Sequence, residues 1–153
     1  MEHIVITHSV EETHALGIRL ASVLRLGDII ALSGSLGVGK TAFVHGIGKG
    51  LGIEGAMPSP TFAIMRSYPL QPKGELLHLD AYRLHQQDTD HGLDDTPPMS
   101  ILCVEWPEHV PYLFQQATLF VQIHLLGPTE RHFRFTYTDV RFERLFHHEN
   151  TRS

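Results

Sequence analysis

Gly34-Ser35-Leu36-Gly37-Val38-Gly39-Lys40-Thr41 fits G-x-x-x-x-G-K-[ST], the loop that wraps phosphate in backbone N–H groups. Each fixed position has its own task. The glycines permit positive φ and bring N–H groups within reach of phosphate oxygens. Lys40 offers a compact positive charge to the β- and γ-phosphates, and the Thr41 hydroxyl is a candidate Mg²⁺ ligand. The flanks supply the context that gives the motif meaning. Asp28-Ile29-Ile30-Ala31-Leu32-Ser33 is short, apolar and bounded by Gly27-Asp28, so it reads as a buried strand. On the other side, Phe43, Val44 and Ile47 fall at helical spacing.

Working outward, Glu2 to Ile6 reads as a first strand. Ser9 with Glu12 forms a capping box, and Val10, Leu16, Ile18, Leu20, Ala21 and Leu24 mark a helix ending near Gly27. The helix after the P-loop stops in the glycine-rich Gly48 to Gly52. Met57-Pro58-Ser59-Pro60 is extended, because each proline biases its predecessor away from helix. Thr61 to Leu70 predicts a strand, Gln71 to Gly74 a turn, and Glu75 to Asp80 its hairpin partner. Asp88 to Pro98 is polar and ends in two prolines, the pattern of a mobile loop. Ile101 to Glu105 reads as another buried strand, Leu119 to Leu126 and His132 to Tyr137 as late strands, and Val140 to Phe146 as a short helix. Alternating strands and helices predict an α/β fold over residues 1–153 as one domain. The expected architecture is a P-loop NTPase three-layer sandwich with a mostly parallel central sheet plus antiparallel additions.

Bulk properties narrow the function. At 153 residues the chain is long enough to bury a core without disulfides or metal. Cys103 is the only cysteine, so no internal disulfide forms and a reducing, cytoplasmic setting is expected. No long apolar run suggests a membrane segment. A formal net charge of −5 argues against a large surface gripping naked nucleic acid, though not against a protein partner that holds it. The twelve histidines are scattered without a zinc-binding spacing.

Hydrolysis at a P-loop needs a carboxylate to hold Mg²⁺ and a group that orients water. In α/β folds such groups stand at the carboxyl ends of strands. Asp80 ends Leu76-Leu77-His78-Leu79, and Glu105 ends Ile101-Leu102-Cys103-Val104, the better match to a Walker B strand. Either carboxylate could instead be a solvated strand end. Thr61, after the rigid Ser59-Pro60, has the setting of a switch threonine or of an ordinary strand opener. Arg83 is a candidate phosphate contact or a surface ion-pair partner. Trp106 either packs into the core or stacks on a base or partner.

Gly34 to Thr41, Ser59-Pro60-Thr61-Phe62, His78-Leu79-Asp80-Ala81-Tyr82-Arg83-Leu84 and Val104-Glu105-Trp106-Pro107-Glu108 together resemble one family, the TsaE (YjeE) P-loop ATPases of bacteria. The resemblance runs from about Thr13 to Glu108. It implies a weak Mg-dependent ATPase that binds a TsaB–TsaD pair and supports formation of threonylcarbamoyladenosine beside the anticodon of tRNA. TsaD performs the transfer, and the partners hold most of the tRNA. Carried onto this chain, the resemblance implies that Leu36, Gly37, Val38, Gly39, Lys40, Thr41 and Ala42 line the nucleotide phosphates, with Lys40 as a catalytic residue. Thr41 and Glu105 would hold Mg²⁺, Asp80 would assist the metal or orient water, and Thr13 would lie near the base. Two positions depart from the family pattern. Ser35 stands for the usual Asp, and Ala42 for a second Thr, whose hydroxyl would be worth about 1 kcal/mol if it bonded the α-phosphate.

Two other functions stay open. A nucleotide-sensing module with vestigial turnover would tolerate Ser35 and Ala42. A small-molecule P-loop kinase needs a lid with arginines, and Asp88 to Pro98 has none. A GTPase is disfavoured because no N-K-x-D or T-K-x-D occurs.

Overall fold

The computed structural model describes residues 1–35, 38–55, 57, 65–82 and 99–150, the last three of these by backbone alone. Its strands are β1 (Glu2–Thr7), β2 (Ile29–Ser33), β3 (Met65–Pro69), β4 (Glu75–Asp80), β5 (Ser100–Glu105), β6 (Leu119–Leu125) and β7 (Arg131–Tyr137). They form one sheet in the order β1-β7-β6-β2-β5-β4-β3. The helices among the described residues are α1 (Val10–Ala21), α2 (Lys40–Gly50), α3 (Pro111–Gln115) and α4 (Arg144–Asn150), with 3-10 turns at Pro107–His109 and Val140–Glu143.

Parallel pairing is confined to the centre. β6-β2, β2-β5 and β5-β4 are parallel, while β1-β7, β7-β6 and β4-β3 are antiparallel. Over the whole sheet the two kinds are therefore equal in number, and the mostly parallel expectation holds for the four middle strands. Composition explains the division. β2 and β5 are apolar almost throughout because both their faces are covered. β7 alternates, burying Phe133, Phe135 and Tyr137 and exposing Arg134 and Thr136, as a strand with one solvated face must.

On one face, Leu16 and Leu20 of α1 and Phe43, Val44 and Ile47 of α2 pack on Ile30, Leu32, Leu76, Val121, Phe133 and Phe135. On the other, Leu77, Leu79, Leu102 and Val104 are covered by Val110 and Leu113. Among the described residues the helix on this second face, α3, is five residues long and begins at a proline. It carries too few turns to show a helical period, which is why no sign of it is visible in the sequence.

The helix after β1 begins as its capping box predicts. Ser9 Oγ accepts the Glu12 N–H at 3.0 Å, and the Glu12 carboxylate accepts the His8 N–H at 2.6 Å. It ends at Ala21 rather than near Gly27. Ser22 donates its hydroxyl to the Arg19 carbonyl and caps the helix there, and Leu24 packs on the core from a turn. The hairpin of β3 and β4 closes through Leu70 N–H to the Gly74 carbonyl at 2.8 Å, with Gly74 at φ 89°. β3 is described from Met65 to Pro69, within the expected strand, and residues 58–64 and the expected mobile loop at 88–98 lie outside the described residues. The predicted helix from Val140 opens as a 3-10 turn and becomes α-helical only at Arg144. No helix among the described residues is long and apolar enough to cross a membrane.

For the site, the important consequence is one of polarity. β2, β4 and β5 run in the same direction, so the loop after Ser33, Asp80 and Glu105 all emerge at one edge of the sheet. There Asp80 stands opposite Glu105, and Leu32 opposite Glu105 on the other side.

Candidate functional site

The loop leaving β2 turns through Gly34 at φ 149° and Gly39 at φ 108° before α2 starts. A Cβ on Gly34 would stand 2.7 Å from the Ile123 carbonyl oxygen and 2.9 Å from Val38 Cγ2, so both conformation and space demand glycine. Val38 buries its side chain in the core, which leaves its backbone for any phosphate contact. Thr41 is exposed in the first turn of α2, and Ser35 is exposed as well. Leu36 and Gly37 lie outside the described residues, as do Thr61 and Arg83.

Lys40 is buried, and its Nζ donates to the Gly34 carbonyl at 2.8 Å. Burial holds its pKa below the usual lysine value, opposed by the charges of Glu105, Asp80 and Glu108. The ammonium thus sits in a setting that a polyanion would improve. It also lies over the Trp106 ring, 4.2 Å from the centroid. Trp106 adopts the left-handed conformation at φ 60°, ψ 53°, which a bulky residue takes only when its surroundings impose it. One contribution is a cluster in which the Tyr82 and His109 rings stand 5.0 and 5.8 Å from the indole. His109 is itself anchored, its Nδ1 bonding the Ala81 carbonyl at 2.8 Å. The core-packing reading of Trp106 is the one seen, since it packs on the Leu79 and Val104 cluster, and the same ring also lies over Lys40.

The two strand-end carboxylates differ. Glu105 is 5% exposed and its Oε2 is held by His78 Nε2 at 2.6 Å. Asp80 is half-buried, and its Oδ1 accepts the Tyr82 N–H at 3.0 Å. His78 opens the His78 to Leu84 motif, yet it was assigned no role from the sequence. Its signal was a polar residue at an inward-facing position of an otherwise apolar strand, flanked at i−2 and i+2 by Leu76 and Asp80.

Thr13 lies beside the loop. It is buried, its hydroxyl shares a 2.7 Å hydrogen bond with Thr7, and its methyl group faces Gly39. With Ser9, Val10, Gly39, Ala42, Pro128, Thr129 and Arg131 it lines a cavity of about 100 Å³. Arg131 Nε would stand 3.8 Å from a Cβ on Gly39. Arg131 and the Pro128-Thr129 turn were also missed, because no spacing links them to Gly39. Only the pairing of β6 with β2 brings them there. A larger cavity, about 680 Å³, is lined by His14, His45, Lys49, Glu54 and Met57 rather than by the loop.

The donor set suits Mg-ATP. Glycines at positive φ border the loop, Lys40 is a buried cation beside them, and the Thr41 hydroxyl with two carboxylates supplies hard oxygen ligands. Among the described residues no three of His, Cys, Asp or Glu assemble as a metal cage.

Comparison with known proteins agrees with this architecture. The family model described as Threonylcarbamoyl adenosine biosynthesis protein TsaE matches residues 7–133. A Streptomyces coelicolor protein named tRNA threonylcarbamoyladenosine biosynthesis protein TsaE is 48% identical over 97 residues, which cover 61% of this chain and 66% of that protein. The Bacillus subtilis protein of the same name is 37% identical over 138 residues, covering 88% of this chain and 85% of its own. Among solved structures, the crystal structure of YdiB from Bacillus subtilis superposes with a TM-score of 0.72 at 29% identity, covering 99% of this chain and 95% of that one. This chain belongs to the TsaE family.

Proposed function

We propose that this chain binds and slowly hydrolyses ATP with Mg²⁺ in the cytoplasm, supporting tRNA threonylcarbamoyladenosine formation by a TsaB–TsaD complex. The observation that carries the reading is the convergence of Lys40, Asp80 and Glu105 at one sheet edge, where the charges of Glu105, Asp80 and Glu108 act on the buried ammonium. Relatives named for this tRNA modification support the process. The net charge of −5 supports leaving the tRNA to the partners.

Each residue has a defined task in this reading. The backbone from Leu36 to Thr41 donates N–H groups to the phosphates, and Lys40 exchanges the Gly34 carbonyl for a phosphate oxygen. Thr41 and Glu105 hold Mg²⁺, which when bound offsets the charge of the β- and γ-phosphates. Asp80, at the same edge, accepts a hydrogen bond from the attacking water and orients it. Thr13, Ala42 and Arg131 border the nucleoside side of the loop. Trp106 keeps bulk water from the ammonium.

The test is ATP hydrolysis by the purified chain, alone and with its host's TsaB–TsaD pair. A weak basal rate that changes in the complex and falls about 100-fold in Glu105→Ala is expected. Lys40→Ala should weaken ATP binding by roughly 2 kcal/mol, the scale of a charged hydrogen bond, or about thirtyfold. Binding within twofold of wild type in Lys40→Ala would overturn the phosphate site. No response to TsaB–TsaD would remove the partner assignment and leave a nucleotide binder.

A further inference from the structure

His78 is 1% exposed on the central strand β4, where the neighbouring inward positions of the same sheet face are filled by Leu76, Ile101 and Cys103. An imidazole in such a place costs free energy unless its polar atoms are satisfied. The register explains how one of them is. His78 stands opposite Cys103, and Glu105 is two residues further along β5 on the same face. The imidazole thus reaches diagonally across the pair of strands, and Nε2 meets Glu105 Oε2 at 2.6 Å with both side chains under 8% exposed. A carboxylate accepts here, so Nε2 carries the proton and donates.

We propose that His78 is a positioning residue: it clamps one oxygen of Glu105 so that the carboxylate is held in a single orientation toward the phosphate loop. The proposal rests on the reading of Glu105 as a Mg²⁺ ligand. The physical need is plain. Glu105 has three rotatable side-chain bonds and stands at the last residue of its strand, where apolar packing by itself gives no polar partner to fix which way its carboxylate faces. Occupying Oε2 from beneath, through a rigid ring set into the core, restricts those torsions and leaves the second oxygen to the site. Outer partners that orient metal-binding groups in this way typically matter tenfold to a hundredfold. Among the described residues Asp80 has no comparable clamp from the core. Its bond to the Tyr82 N–H is local to the chain that follows it.

The experiment measures the gain in ATP affinity on replacing EDTA by Mg²⁺. It compares wild type, Glu105→Ala, His78→Leu, His78→Gln and the His78→Leu/Glu105→Ala double variant. His78→Leu is expected to lose about tenfold of the Mg²⁺ gain. His78→Gln, whose amide N–H reaches to a similar point, should recover most of it, and the double variant should lose no more than Glu105→Ala alone. A full Mg²⁺ gain in His78→Leu, with the gain lost in Glu105→Ala, would overturn the positioning role while leaving the metal site standing. An unchanged gain in Glu105→Ala would instead remove Glu105 as a metal ligand, and the proposal with it. A second readout needs neither nucleotide nor metal. In ¹⁵N NMR of the wild-type chain His78 should carry its proton on Nε2, slow to exchange, and that protection should vanish in Glu105→Ala. An Nδ1-protonated ring in the wild type would sink the idea directly.

Discussion

At the scale of residues, the site concentrates features that a core normally avoids. A lysine, a glutamate and a histidine are all buried within a few residues of the same sheet edge, and a tryptophan is held at positive φ above them. Cys103, two residues before Glu105, is the counterexample: a polarisable group at 0% exposure that carries no charge. Burial pushes its thiol up to about 12, with the Glu105 charge adding in the same direction. The thiolate is the reactive form, so Cys103 should be inert to a disulfide reagent such as DTNB in native buffer at pH 8 and react fully in denaturant. Labelling within minutes in native buffer would mean that β5 opens locally, and the site at its end would then be less rigid than the structure portrays. The placement of Gly34, Gly39, Lys40, Asp80 and Glu105 was legible beforehand, because a glycine-rich turn between strand and helix and acidic strand ends leave local patterns. His78 and Arg131 were not, since each gains its meaning from a residue far along the chain.

Elements meet at the site through an unusually close helix pair. A Cβ on Gly17 of α1 would stand 2.3 Å from the Phe43 carbonyl oxygen, and one on Gly46 of α2 would stand 2.1 Å from the His14 carbonyl oxygen. The helices therefore touch backbone to backbone, which sets Thr13 against Gly39. Gly46→Ala gains up to about 1 kcal/mol of helix propensity, but the overpacking of rigid backbone should outweigh it and leave the protein about 2 kcal/mol less stable. Gly48→Ala is the matched control. Its Cβ would clash with the flexible Met57 side chain, at 2.1 Å from sulfur, and touch Ile53 Cδ1 at an ordinary 3.6 Å, so a smaller loss is expected. Thermal unfolding of the two variants checks this, and equal melting temperatures would refute the close-contact account. ATP affinity should also fall in Gly46→Ala, because pushing α1 outward carries Thr13 with it. The helical periods predicted both helices from sequence. That they meet through glycines could not be read there, because isolated glycines within a helix look merely unfavourable.

For the whole molecule, the two ends of the chain's course are tied by an ion pair remote from the site. Arg141, in the 3-10 turn before α4, bonds both carboxylate oxygens of Asp28 and the Val23 carbonyl, and Asp28 also accepts the Arg25 N–H at 2.7 Å. The side chains are 10% and 5% exposed. Removing one partner leaves a buried charge alone, so Arg141→Ala should lose about 3 kcal/mol in urea unfolding. Asp28→Ala/Arg141→Ala together should lose less than the sum of the two single changes. Additive losses would show that the pair is not coupled. What the sequence alone determined is what local chemistry encodes: the phosphate loop, the strand and helix on either side of it, the carboxylates that end two apolar runs, and the family these motifs mark. These are short-range patterns, read from neighbours within a turn or a strand. Tertiary structure decided the rest. Strand order placed β6 beside β2 and so brought Arg131 to the loop, and the register of β4 on β5 set Asp80 opposite Glu105 and His78 beneath it. Those relations depend on which strands pair and in which direction, a choice made by burial of the whole sheet between its covering layers rather than by any segment of it.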